Sequence, residues 1–243
     1  MTHTDKNALI VVDVQNGFIP VDEWGTGELG VTWGGLIIPA VNDLIQEVRR
    51  TGGFILATRD MHPAGHMSFA SNYLNRKVFD TIDWDDVMNG KQNTPKLHPK
   101  AAFTLGDLQA SFGAWEKQVL WPDHCIENTP SADYHKELDL SQIDHHIIKG
   151  YDAKNEMYSG FFGKEDRSDS QIVRLADILK HAGVTLVQVV GIATDYCVHA
   201  TALDALKNAF DVQVLTKAIA GVNPSDSIKR LEELRKQGAE IVE

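Results

Sequence analysis

Cys197 lies in the run Gly191-Ile192-Ala193-Thr194-Asp195-Tyr196-Cys197-Val198-His199, between an apolar stretch at 185–190 and a helix-like stretch at 200–206. That context predicts a strand delivering a thiol to the first turn of a helix. Unpaired backbone N–H groups and the positive end of the helix dipole there favour thiolate, the nucleophilic form. A buried cysteine is more often a small apolar residue filling a corner, so the assignment depends on partners. Two follow from position. Ala8-Leu9-Ile10-Val11-Val12 is a continuous apolar, β-rich run of the kind buried on both faces of a parallel sheet, and it ends at Asp13. His145-His146-Ile147-Ile148 ends in the same way at Lys149. In an open parallel sheet the carboxyl ends of the strands face one crevice, where ligands bind. A carboxylate to take a proton, an ammonium to favour thiolate and the thiol itself then compose an acyl-transfer set.

A second group follows the strand-like segment 54–58, in Asp60-Met61-His62-Pro63-Ala64-Gly65-His66. Residues two apart on an extended chain point the same way, so Asp60 and His62 can reach one cation. His124, in Trp121-Pro122-Asp123-His124-Cys125, offers a third donor. Two imidazoles and a carboxylate suit a divalent transition ion: zinc, iron(II) or manganese. The same set is compatible with chemistry at the ion itself, with Cys197 incidental. His66 stays open as a fourth ligand, a group behind the ligands or a loop histidine. Cys125 reads as packing.

The elements that must position these residues alternate. A helix is predicted over Ile38–Arg50, with Pro39 near its start, Val41, Leu44, Ile45 and Val48 on one face, and Gly52-Gly53 as its stop. Another is predicted to open at Ser168-Asp169-Ser170 and run through Ile172, Leu175, Ile178 and Leu179 to Gly183. A strand at 211–215 and a helix from Ser225-Asp226-Ser227 through Leu231 and Leu234 complete the pattern. Such alternation implies right-handed βαβ units in one domain over 1–243, an α/β fold with a doubly wound, mostly parallel sheet and helices on both faces. The segment at about 69–115, with Tyr73, Asp83, Trp84, Asp85, Asp86 and Trp115, reads as a surface excursion with a small helix of its own in preference to a lid. Gly25-Thr26-Gly27-Glu28-Leu29-Gly30 lacks the Lys-Ser/Thr of a phosphate loop and does not run from strand into helix, so no nucleotide site is assigned to it.

The chain of 243 residues carries a formal net charge of −11, which disfavours nucleic acid or an anionic membrane as partner. Residues 1–7 lack a basic, apolar leader and no apolar run has spanning length, so a cytoplasmic location is expected. There the two cysteines, Cys125 and Cys197, are expected free.

Taken in order, Asp13-Val14-Gln15-Asn16-Gly17-Phe18, Asp60-Met61-His62-Pro63, Trp121-Pro122-Asp123-His124-Cys125, Lys149-Gly150 and the Cys197 run resemble the motif set of the nicotinamidases, within the isochorismatase-like cysteine hydrolases. The resemblance spans almost the whole chain. It implies a Cys197, Lys149 and Asp13 triad, and one divalent metal ion on Asp60, His62 and His124, zinc first with iron or manganese as alternatives. It implies hydrolysis of nicotinamide to nicotinate and ammonia, and of pyrazinamide, through a cysteine thioester in NAD salvage. Backbone N–H groups of Ala193 and Cys197 would form the oxyanion hole, with a cis peptide in the Ile192-Ala193 stretch. Phe18 and Trp121 would offer aromatic faces to a small aromatic amide, and Tyr158 a further lining group. Homo-oligomerisation is left open. Two departures stand out: Gly17-Phe18 where the family usually has Asp-Phe, and extra residues between Lys149 and Tyr158. A metal-free relative acting on isochorismate or a carbamoyl compound would have no use for Asp60, His62 and His124 together. A partner-binding module without catalysis should have lost one of Asp13, Lys149 and Cys197.

Overall fold

The computed structural model describes residues 6–88, 94–111, 117–166 and 174–243. In chain order they form β1 (Lys6–Val12), α1 (Ile38–Arg50), β2 (Phe54–Asp60), β3 (Thr81–Asp83), α2 (Trp84–Met88), α3 (Leu105–Ser111), β4 (Lys117–Val119) and β5 (His145–Lys149). Then come β6 (Lys164–Glu165), α4 (Leu175–His181), β7 (Val184–Ile192), α5 (His199–Lys207), β8 (Asp211–Ala220), α6 (Pro224–Lys236) and β9 (Glu240–Val242).

A seven-stranded sheet runs in the order β6-β5-β2-β1-β7-β8-β9. Every pairing in it is parallel except β5 with β6. The chain steps outward from β1 through β2 to β5, then returns to the other side of β1 and steps outward again. The loops leaving β1 and β7 therefore diverge, which opens a crevice at the carboxyl ends of the strands. Both outer strands are short, two residues in β6 and three in β9.

Alternation along β1 shows why both sheet faces need helices. Leu9 and Val11 pack with Val41, Leu44, Ile45 and Val48 of α1 on one side. Ala8, Ile10 and Val12 pack with Leu175 and Leu179 of α4, Ala202 of α5 and Leu234 of α6 on the other. Two apolar faces on each strand explain the unbroken apolar run in its sequence.

Two boundaries differ from expectation, and a third falls outside the described residues. The helix opening assigned to Ser168-Asp169-Ser170 and Ile172 lies outside the described residues, within which α4 begins at Leu175. The strand predicted at 211–215 continues to Ala220, because after a register shift it pairs with β7 again at Ile219 and Ala220. Between β7 and α5 stands a single π-helical turn, Thr194–Val198, in place of a regular α-helical start.

The excursion forms a satellite, and its hairpin closes later than 115 because β3 pairs antiparallel with β4 as far as Val119. Two short helices accompany the hairpin. Its own small core gathers Met67, Ala70, Tyr73, Ile82, Val87, Phe103, Leu108 and Leu120. Trp115 lies outside the described residues.

Candidate active site

Asp60 and Lys149 face each other in register on β2 and β5. Asp13 follows β1 in the left-handed region at φ 49°, held there by its N–H donating to both the carbonyl and the hydroxyl of Thr58 at 3.2 Å. Strained backbone of this kind persists only where the surroundings over-determine it. The Thr58 hydroxyl in turn donates to Asp13 Oδ1 at 2.6 Å. Gln15 ties the ends of β1 and β2 together, donating to the Asp60 carbonyl and accepting from the Asp60 N–H, each at 2.8 Å.

Lys149 is 0% exposed and its Nζ is the hub of the site. It lies 2.8 Å from Asp13 Oδ2, 2.5 Å from Asp60 Oδ1 and 3.3 Å from Cys197 Sγ. Burial works against its charge, but Asp13 and Asp60 outweigh burial and hold the ammonium well above its usual range. Burial pushes the Asp13 carboxyl up against the pull of Lys149. For Asp60 burial acts the same way, yet Lys149 and His62 win and keep it well below the carboxylate range.

Cys197 is 5% exposed, and burial pushes its thiol well above the ordinary value while Lys149 opposes that rise. Burial in this tight turn thus works against the thiolate that a helix start favours, and Lys149 is the group that works for it. The Ile192–Ala193 peptide is cis. The Ala193 carbonyl accepts from the N–H groups of Tyr196 at 3.1 Å and Val198 at 3.0 Å, which closes the π turn around Cys197.

Donor atoms of Asp60, His62 and His124 lie within 4.8 Å of one another, all buried. His62 Nδ1 is 3.0 Å from the Gly150 carbonyl and His124 Nδ1 is 2.8 Å from the Pro122 carbonyl. A proton on each Nδ1 leaves each Nε2 lone pair for a ligand, the usual orientation of metal-binding imidazoles. Gly150 at φ 68° permits this arrangement, since a Cβ there would come 2.5 Å from His62 Cε1. Burial pushes His124 down to about 3, with His62 adding to the effect. Burial also lowers His62, but Asp60, 3.6 Å from its Nε2, more than restores its affinity for a proton. Two imidazole nitrogens and a carboxylate are donors whose chemistry fits a divalent ion.

His66 stands behind this group. Its ring lies 4.3 Å from that of His62, Nδ1 meets the Ser68 hydroxyl at 2.8 Å and Nε2 the Asn155 carbonyl at 3.2 Å. Both nitrogens are occupied by protein, so the ligand reading is not supported by the geometry. Cys125 is free and fully buried, with Sγ 3.6 Å from the Ser131 carbonyl.

One cavity joins the two groups. Asp60, His62, His124, Ala193 and Cys197 line it, with Phe18, Trp121 and Tyr158 as its aromatic wall. Trp121 Nε1 donates to the Tyr158 hydroxyl at 3.2 Å, and its ring packs edge-on to Tyr196 at 4.8 Å. None of the described residues between 69 and 115 is among the lining. The excursion's reach is indirect: Phe79 backs Trp121 at 6.2 Å.

Four further lining residues escaped sequence reasoning: Leu29, Glu156, Tyr196 and Val222. Tyr196 had a signal in its adjacency to Cys197. Glu156 had none. It is a buried carboxylate on an irregular segment, accepting from the Met157 N–H at 3.0 Å and from Gln118 Nε2 of β4 at 3.3 Å. Burial raises its carboxyl against the pull of His62.

The crevice at the strand ends of a mostly parallel sheet agrees with what comparison of the whole chain finds: residues 7–243 match the isochorismatase domain, and the chain belongs to that family. Within it, the nicotinamidase of Acinetobacter baylyi is 36% identical over 229 residues, covering 94% of this chain and 88% of the relative. The pyrazinamidase of Pyrococcus horikoshii in complex with zinc has a TM-score of 0.68 at 35% identity, covering 98% of this chain and 99% of that one. The Acinetobacter baumanii nicotinamidase/pyrazinamidase has a TM-score of 0.75 at 32% identity, covering 100% and 98%.

Proposed function

We propose that this chain is a nicotinamidase: an amidohydrolase that converts nicotinamide to nicotinate and ammonia, and hydrolyses pyrazinamide, in NAD salvage. Full-length similarity to nicotinamidases supports the substrate. The observation that carries the mechanism is the position of Lys149 Nζ, 3.3 Å from Cys197 Sγ and salt-bridged to Asp13.

Asp13 takes the thiol proton, a role favoured by the raised proton affinity that burial gives it. Lys149 keeps its charge and stabilises the thiolate as it forms. The sulfur bonds to the amide carbon, and the negative charge on oxygen is met by the N–H groups of Ala193 and Cys197, fixed donors in a dry site. Asp13 returns its proton to the nitrogen as the C–N bond breaks, and ammonia leaves. Water then adds to the thioester with Asp13 as base, the C–S bond breaks, nicotinate departs and Cys197 recovers its proton. Phe18 and Trp121 hold the ring between aromatic faces while the amide lies over Cys197.

Asp60, His62 and His124 would hold a divalent ion, zinc by analogy with the zinc-bearing relative. Bound there, it supplies a Lewis-acidic anchor for the pyridine nitrogen. A cytoplasmic location belongs to this reading; both cysteines are free, and among the described residues no helix is long and apolar enough to cross a membrane. The negative net charge is compatible with a small neutral amide and speaks against nucleic acid as partner.

Ammonia release from nicotinamide, measured before and after chelation and metal restoration, tests the reading. Turnover lost on chelation and regained with zinc is expected. Absence of ammonia from metal-loaded protein would overturn it.

A further inference from the structure

We propose that Asp195 is a positioning residue that ties the turn carrying Cys197 to the wall opposite it and thereby sets the size of ring the site admits. The proposal rests on the amidase reading above. Asp195 sits within the π turn two residues before Cys197, is 4% exposed, and is not among the residues that line the cavity. Its two carboxylate oxygens each accept one backbone N–H from the segment after β8: Oδ1 from Val222 at 2.9 Å and Oδ2 from Asn223 at 2.8 Å. Val222 does line the cavity, with Leu29 and Tyr196. Hydrogen bonds from amides to a buried carboxylate are among the stronger neutral-to-charge contacts.

The far side of this segment is fixed independently. Asn223 Oδ1 accepts from the N–H groups of Ser225 at 2.9 Å and Asp226 at 3.2 Å, the cap that starts α6. Gly221 leaves no lateral slack, since a Cβ on it would come 2.0 Å from Ser227 Oγ and 3.1 Å from Asp195 Oδ1. With one end of the segment clamped by the helix cap, the carboxylate of Asp195 fixes how far Val222 stands from Cys197. Replacing one oxygen by an NH₂ sets a donor against an N–H, and the Val222 wall must yield.

The test compares nicotinamide with the larger-ringed quinoline-3-carboxamide in wild type, Asp195→Asn, Val222→Ala and the double variant. In Asp195→Asn, KM for nicotinamide is expected to rise about tenfold, the loss of one charge-assisted hydrogen bond, with kcat changing about threefold at most. The preference for the smaller ring should narrow by a similar factor. Val222→Ala should narrow it too, and Asp195→Asn should add nothing in that background, because both act on one wall. Asp195→Glu, which keeps the charge but lengthens the tether, should shift the same ratio and covers the case in which the Asn variant does not fold. An unchanged ring-size ratio in the folded variants, or additive effects in the double variant, overturns the proposal. Wild type inactive on nicotinamide would instead sink the amidase reading.

Discussion

The two halves of the cavity are held in place by different means. Around Cys197 the contacts are between side chains: Asp13, Lys149 and the thiol are all buried, and the Lys149 ammonium touches both of the others. Around His62 and His124 the backbone sets which ring nitrogen faces the cavity, through the carbonyls of Gly150 and Pro122, and the two rings pack edge to face at 5.1 Å. Loss of Lys149 therefore takes a partner from both Asp13 and Cys197, while each imidazole keeps its carbonyl partner when the other is lost. Lys149, paired to a carboxylate from each half, is where they meet.

The sharpest break is Cys197→Ala. Removing the attacking atom should lower kcat/KM by about 10⁴-fold or more, the scale of losing a nucleophile, while metal analysis finds the same ion content as in wild type. Turnover near wild type would move the chemistry to the ion. Next is Lys149→Ala, which leaves Asp13 and Asp60 buried without their cation. It should cost about 3–5 kcal/mol of stability, read by denaturant unfolding. It should also shift thiol reactivity: Lys149 lowers the proton affinity of a thiol that burial has raised, so its removal moves the iodoacetamide profile of Cys197 to higher pH. In metal-free wild type that profile should still be climbing at about pH 9, above the ordinary thiol value. A profile indifferent to the substitution would make Lys149 structural only.

His62→Ala probes the other half. If the ion anchors the ring, kcat/KM for nicotinamide should fall about 10²-fold through lost positioning, while Cys197 alkylates as before. Discrimination against benzamide, which lacks the ring nitrogen, should collapse. Wild type hydrolysing both equally well would discard the pyridine contact. The smallest effect is expected from Tyr158→Phe, which removes the acceptor for Trp121 Nε1. At about 1 kcal/mol for one hydrogen bond, KM should rise roughly fivefold with kcat unchanged.

The strand ends were legible because a parallel strand buried on both faces leaves an unbroken apolar run, and the first polar residue after it marks the crevice. Asp13 was located in that way, Lys149 as the end of another strand-like run and Asp60 through its spacing to His62 after a third, and the sheet with helices on both faces follows from the alternation of elements. What stayed illegible has no periodicity. Glu156 and Val222 come from irregular segments whose path depends on tertiary contacts, and Gln118 reaches Glu156 only because the β3–β4 hairpin folds back. The opposing pull of burial on the Cys197 thiol was illegible for a related reason, since the helix start was visible in the sequence but the depth of burial was not.

The abrupt ends of the sheet bear on self-association. An outer strand of two residues and another of three expose so few unpaired backbone groups that a second molecule gains little by adding its own strand there. Among the described residues, the sheet thus offers little edge on which another strand could be templated.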